Sequence, residues 1–298
     1  MAEFIRPERM DVVIDTDAYN EIDDQFAISY ALKNADRLNV LALYAAPFHN
    51  ARSVGPEDGM VKSYDEILKL LELAEREDLK PVTYEGSRAY LTDEATPVDS
   101  PAARDLVARA KAYSPEHPLY VVALGAITNV ASALILDPSI GKNLVISWLG
   151  GHAQHWHDTA EFNMMQDVAA ARVVFDSDAE LIQLPCHGVV SEFRTTGPEL
   201  VYWLCGRNPL ADYLARNVIE EAESYAKGKA WSRVIWDVTA VAYLLNDGDC
   251  FMRDREMLRP VPEYDNSYSY PQENRKPFRY VYGVDRDALM TDLFQKLI

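Results

Sequence analysis

A chain of 298 residues, 48% of them hydrophobic and 10% aromatic, can bury a sizeable core as one large α/β domain or two small ones. Its 29 basic residues are set against 47 acidic ones, and the net charge of −18 argues against nucleic acid or an anionic membrane surface as partner, leaving a neutral small molecule or a cation. The odd, widely spaced set Cys186, Cys205 and Cys250 argues against a disulfide framework or zinc ribbon and suits a reducing compartment. Met1 to Met10 is charged and carries no signal-like apolar core, and no run reaches membrane-spanning length, so a soluble cytoplasmic protein is expected.

Val12 to Ile14 reads as a buried strand, followed at once by five acidic side chains within Asp15 to Asp24. Asn20 and Asp23 have the spacing of a helix N-cap and its N3 partner, which predicts a helix with Phe26, Ala27, Tyr30 and Ala31 on its inner face. Leu38 to Ala46 is a second buried strand, ending in the loop Pro47 to Asn50. Helical spacing covers Gly59 to Arg76, and Pro81 to Tyr84 is a short strand. Ser100-Pro101 predicts a capped helix to about Tyr113. Strand Leu119 to Leu124 leads into helix Thr128 to Leu136, and strand Leu144 to Leu149 closes on Gly150-Gly151. A His-rich loop, His152 to Ala160, precedes a helix from about Asp167 to Phe175 and a strand at Leu181 to Leu184. The remainder reads as mostly helical to Asn246, then irregular, with a surface loop Pro260 to Pro277, a late strand Arg279 to Val284 and a terminal helix capped by Asp285. Strands alternating with helices predict a single domain over 1–298, built on an open, mainly parallel sheet flanked by helices.

In such sheets ligands bind beyond the carboxyl ends of the strands. Asp15 and Asp17 fall there, as do His49 and Asn50, Thr128-Asn129, and Glu161-Phe162-Asn163 after the glycine pair. Asp237 interrupts an apolar helical pattern of Val234, Ile235, Val238, Ala240 and Val241, so it too points inward. Inward carboxylates are costly unless neutralised, and no Lys or Arg occurs between Met10 and Ala31. A hard cation, Mg²⁺ or Ca²⁺, is the simplest compensation. Plainer readings compete residue by residue. Asp-x-Asp at a strand end also marks aspartyl-phosphate phosphotransferases, although their later lysine and acidic pair are not evident here. Asp23 could serve the helix dipole alone, and Asp237 or Trp236 the core. His152, His155 and His157 lack zinc-ligand partners at suitable spacing and read as surface or substrate-loop histidines.

Taken together, Asp15-Thr16-Asp17 with Asp23-Asp24, Ala123 to Asn129, Leu149-Gly150-Gly151, Glu161-Phe162-Asn163 with Asp167, and Trp236-Asp237 resemble the nucleoside hydrolase family over nearly the whole chain. The resemblance implies a Ca²⁺ site made by Asp17, Asp24, Asp237 and the backbone carbonyl of Leu124. It also implies ribose binding by Asp23, Glu161 and Asn163, with Asn50 and Leu149 at positions near the sugar and Asp17 as general base. The implied partner is a small-molecule nucleoside, and the implied assembly a homodimer or homotetramer. Two departures stand out. The acidic loop is two residues longer than the usual form, in which a proline and a glycine separate the aspartates. Trp236 stands where many members carry a histidine that helps the base leave, and this looks like the purine-preferring branch. The reading is Ca²⁺-dependent hydrolysis of the N-glycosidic bond of ribonucleosides to ribose and free base, with purines preferred through Trp236. The alternative is a non-catalytic nucleoside- or sugar-binding protein that retains the calcium pocket.

Overall fold

The computed structural model describes residues 6–271, 273 and 275–298; residues 1–5 of the N-terminal stretch, and Gln272 and Asn274 of the segment Pro260 to Pro277, lie outside them. The first half alternates strands and helices: β1 (Met10–Thr16), α1 (Asp23–Lys33), β2 (Leu38–Ala45), α2 (Pro56–Leu73), β3 (Thr83–Tyr84), α3 (Pro101–Ala110), β4 (Leu119–Ala123) and α4 (Thr128–Leu136). It continues through β5 (Leu144–Leu149), α5 (Phe162–Gln166), α6 (Val168–Asp176) and β6 (Glu180–Leu184). A helical excursion follows: β7 (Arg194–Thr195), α7 (Gly197–Trp203), α8 (Pro209–Ala226), β8 (Arg233–Val234) and α9 (Val238–Leu244). The chain ends with β9 (Met252–Leu258), β10 (Val261–Pro262), β11 (Tyr268–Ser269), β12 (Pro277–Val284) and α10 (Arg286–Leu297).

Eight strands form one sheet in the order β3-β2-β1-β4-β5-β6-β12-β9, parallel throughout except that β9 runs antiparallel to β12. Strand alternation feeds two cores. Val12 and Ile14 pack with α1, α2, α8, α9 and α10 on one face, whereas Val13 packs with α3, α4 and α6 on the other. The strand order reverses direction between β1 and β4, and in open α/β sheets that switch point opens a crevice at the carboxyl ends. Among the described residues, no helix is long and apolar enough to cross a membrane.

Several predicted boundaries move. Asn20 does not cap α1: the helix begins at Asp23 with Ile22 at the cap position and no side-chain cap. The Asn20 side chain is instead engaged by Asn50 Nδ2 at 2.6 Å, while its N–H bonds the Asp17 carbonyl at 2.7 Å, so the chain turns here before the helix starts. α2 starts at Pro56, ahead of Gly59, because proline at the first helical position is already set for the helix. α5 was not foreseen, being a single short turn of helix started by Glu161. Val234 lies in a strand, so Asp237 stands at the start of α9 and not inside a helix. β9, expected to be irregular, is a sheet-edge strand whose charged residues Arg253, Arg255 and Glu256 blunt the edge and hide the alternation. The segment 260–277 carries the small hairpin β10–β11.

The carboxyl ends of three adjacent strands are tied by one side chain. Asn129 donates to Asp15 Oδ1 (2.7 Å) and the Ala45 carbonyl (3.1 Å) and accepts from the Ser87 N–H (2.7 Å), all fully buried. Asn129→Ala should therefore cost at least about 2 kcal/mol in urea unfolding with the m-value unchanged, since each buried polar group left unpaired costs about 1–3 kcal/mol. A change below about 0.5 kcal/mol, the range of an unremarkable surface substitution, would show that the tie carries little.

Candidate active site

Three elements deliver the carboxylates. The chain leaves β1 at Thr16 and carries Asp17 past the end of β4, where the side chain lies against Gly125; a Cβ there would sit 2.8 Å from Asp17 Cγ, so only glycine lets the carboxylate in. Asp23 and Asp24 form the first turn of α1, and Asp237 stands at the N-terminus of α9. The antiparallel ribbon β7–β8, continued by Ile235 N–H to the Phe193 carbonyl (3.0 Å), brings Trp236 and Asp237 in from the distant excursion. Ligand oxygens of Asp23, Asp24 and Asp237 all lie within 4.8 Å of one another, and all three residues are buried.

Asp23, assigned to the sugar, joins Asp24 and Asp237, whereas Asp17 lies outside that triad and off the cavity wall. Asp17 is nonetheless fully buried, and neither of its carboxylate oxygens has a hydrogen-bond partner among the described residues. Burial first, then the charges of Asp24, Asp23 and Glu21, pushes its pKa well above the usual carboxylate range. Burial and the neighbouring Asp23 and Asp24 do the same to Asp237. Asp24, held by the Thr16 hydroxyl, is raised to about 6, chiefly by burial. Orphaned buried oxygens beside an all-carboxylate donor set fit a hard cation, which would neutralise them. The Leu124 carbonyl faces the same cavity and accepts from Asn163 Nδ2 at 2.7 Å.

Asp23, Asp24 and Asp237 line a cavity of about 220 Å³ together with Asn20, Glu21, Leu124, Leu149, Glu161 and Asn163. Glu161 is the N-cap of α5, accepting from the N–H groups of Asn163 (2.9 Å), Met164 (3.0 Å) and Gly151 (2.8 Å). Asn163 spends both amide protons on the Leu124 and Leu149 carbonyls, so what it offers a ligand is its acceptor oxygen. Asp167, just beyond α5, caps α6 and accepts from the Leu91 N–H and the Thr128 hydroxyl. Asn50 does not line the cavity; it stands one layer back and orients Asn20. Rings line the same cavity: Phe162, His152, His187 and Trp236. A larger hollow of about 590 Å³ elsewhere is lined by Arg172, Asp176 and Arg275 among others and holds none of these groups.

Three neighbours of the site escape a reading by motif. Arg233 pairs with Glu21 (2.6 Å) and faces Glu221 (3.5 Å), and its charge also reaches Asp23; it is the positive group missing from Met10 to Ala31, supplied from more than 200 residues away. Cys186 is buried beside Glu161, and burial followed by the charge of Glu161 pushes its thiol well up. His187 lies just past the carboxyl end of β6, a position the strand-end rule would have marked.

The sequence profile of the inosine-uridine preferring nucleoside hydrolases matches residues 12–290. The chain belongs to that family, whose members depend on a metal, and it is a nucleoside N-ribohydrolase. It is 28% identical over 236 residues to probable uridine nucleosidase 2 of Arabidopsis thaliana, covering 70% of this chain and 69% of that one. Its fold matches a plant nucleoside hydrolase, PpNRh1, with a TM-score of 0.76 at 20% identity, over 98% of this chain and 99% of the other. A purine-preferring ribonucleoside hydrolase from Gardnerella vaginalis matches with a TM-score of 0.74 at 19% identity, over 96% and 98% of the two chains.

The carboxylate cluster makes a pH prediction for metal-stripped protein. Asp24 at about 6 and Asp15, raised by burial to about 7, both stand above the ordinary 3.8, so their stabilising contribution is complete only below that value and is lost as pH rises through 6 to 7. Chelated protein should gain melting temperature as pH falls from about 8 to about 5.5, and added divalent cation should stabilise most at the alkaline end. Scanning calorimetry with and without chelator reads both; a melting temperature that falls on acidification in this window would contradict the assignment.

Proposed function

We propose that the chain hydrolyses ribonucleosides with Ca²⁺ held by Asp17, Asp24, Asp237 and the Leu124 carbonyl, and that it prefers purines. The observation that carries this reading is one cavity lined both by buried carboxylates and by aromatic rings. The reaction breaks a bond between a sugar carbon and a base nitrogen through a sugar ring that gains positive charge, as in glycoside hydrolysis. Carboxylates of Asp23 and Asp237 suit that charge, being preorganised in a buried site where opposite charge is felt strongly. Asn163 Oδ1 and the Glu161 carboxylate accept from sugar hydroxyls, and Asn50 acts through Asn20 to set the sugar side of the wall. When bound, Ca²⁺ neutralises the carboxylates and makes a nearby water more acidic. Asp17 takes the proton of the attacking water. Trp236 stacks on the departing base.

Ribose release from inosine, adenosine and uridine, with metal analysis of the active protein, tests the whole reading; absence of turnover on all three, or zinc in place of calcium, would sink it. Asp17→Asn keeps an oxygen ligand for the cation but removes the proton acceptor, so single-turnover rates should fall by about 10²–10⁴. Near-normal turnover in that variant would require another base.

The base preference follows from ring area. Stacking on an aromatic side chain is worth roughly 1–3 kcal/mol per base by alanine substitution, and a purine overlaps indole more than a pyrimidine does. Inosine should be preferred over uridine and cytidine. Trp236→Phe should lose part of the activity and Trp236→Ala more, both chiefly on inosine relative to p-nitrophenyl riboside. Equal losses on the two substrates would make Trp236 a packing residue.

A further inference from the structure

The rings lining the cavity include two imidazoles, and the structure separates them by environment. His152 is buried, and its Nδ1 accepts the backbone N–H of His187 at 3.3 Å. Burial, reinforced by His187, pushes its pKa down to about 4, so at neutral pH it is an uncharged ring locked in one tautomer. His187 differs on each count. Its ring is exposed at the cavity wall and makes no hydrogen bond among the described residues. Trp156 stacks on it with ring centroids 5.2 Å apart and planes at 18°, and Trp236 meets it edge-on at 5.4 Å and 88°. Trp156 thus holds the plane of the imidazole at the cavity wall. His152 packs against His187 with centroids 4.8 Å apart, His155 lies beside Gly188, Asp158 is 3.9 Å from His152 Nε2, and Cys186 adjoins His187 in the chain. His157 is engaged by Asp158 at 2.9 Å, and neither His155 nor His157 lines the cavity.

Building on the hydrolase reading, we propose that His187 is the catalytic acid that protonates the departing nucleobase, with Trp156 as the positioning residue that stacks behind it. The balance is simple. As the bond between the sugar carbon and the base nitrogen breaks, its electron pair goes to the base, and the His187 imidazolium gives its ring proton to a base nitrogen. Water adds to the sugar carbon and loses a proton to Asp17. Solvent then reprotonates His187 and takes the proton from Asp17, so the sum is nucleoside plus water giving ribose plus base. Trp236 and His187 divide the work: the indole holds the base, and the perpendicular imidazole reaches it with a proton.

The test uses the metal-loaded enzyme, two substrates and two variants. His187→Gln should lower kcat on inosine by about 10²–10⁴, the usual range for a general acid, and leave p-nitrophenyl riboside within a few-fold, because nitrophenolate departs without a proton. The alkaline fall in kcat on inosine, which reports loss of the acid's proton, should vanish in His187→Gln, and Trp156→Leu should lower kcat on inosine while sparing p-nitrophenyl riboside. Equal losses on both substrates in His187→Gln, or an unaltered alkaline limb, would overturn the role of His187 while leaving the hydrolase reading intact. Wild-type protein that cleaves neither substrate would overturn both, and circular dichroism of each variant confirms that the comparison is made on folded protein.

Discussion

Everything around this site depends on how several carboxylates stay together out of water. Asp17, Asp23, Asp24 and Asp237 are almost completely buried, and their mutual repulsion adds to the cost of desolvation. Arg233 answers only the Glu21 and Asp23 side. The N-termini of α1 and α9 add partial positive charge, because Asp23, Asp24 and Asp237 occupy the first turn or the cap. These contributions soften the repulsion without removing it: the Asp17 oxygens remain unpartnered. A metal ion, on which the family depends, would neutralise what remains.

The surrounding framework is built to keep this cluster from relaxing. Asn129 spans the ends of β1 and β2 and the segment after β3. Glu161 and Asp167 each spend their carboxylates on helix N-termini, which fixes α5 and α6 under the cavity. Gly125 allows Asp17 to press against the β4 end, and Gly151, at φ +74°, turns the chain so that its N–H meets Glu161. Polar groups near the sugar side are therefore held by backbone and side-chain hydrogen bonds already present in the protein. A ligand meets a site that is preorganised and not one assembled on arrival.

The cavity combines two chemistries, often from the same segment: Glu161 and Asn163 flank Phe162, and Asp237 follows Trp236. Carboxylates arrive at strand ends and helix starts near the switch point between β1 and β4. Aromatic and imidazole rings arrive from the loop after β5, the turn after β6 and the ribbon before α9. A sugar gaining positive charge is matched by the carboxylates and a flat leaving group by the rings.

Much of this was legible in the residues alone. Alternating apolar runs and helical spacings mark the parallel sheet, since buried strands are continuous and apolar whichever helices cover them. The acidic stretch Asp15 to Asp24, Glu161-Phe162-Asn163 and Asp237 mark the carboxylates of the cavity, because so many inward acids without a nearby base demand a reason. Three things needed the tertiary structure. Which aspartates converge depends on backbone geometry: α1 begins at Asp23, not at Asn20, so Asp23 swings into the triad. Arg233 and His187 matter through contacts across the fold, and no local pattern encodes a partner 212 residues away. The environments of His152 and His187, one sealed and one stacked in the open, arise from burial that spacing does not report. Sequence records which groups the chain carries near each strand end; only packing decides which of them lose their water and which keep a proton to give.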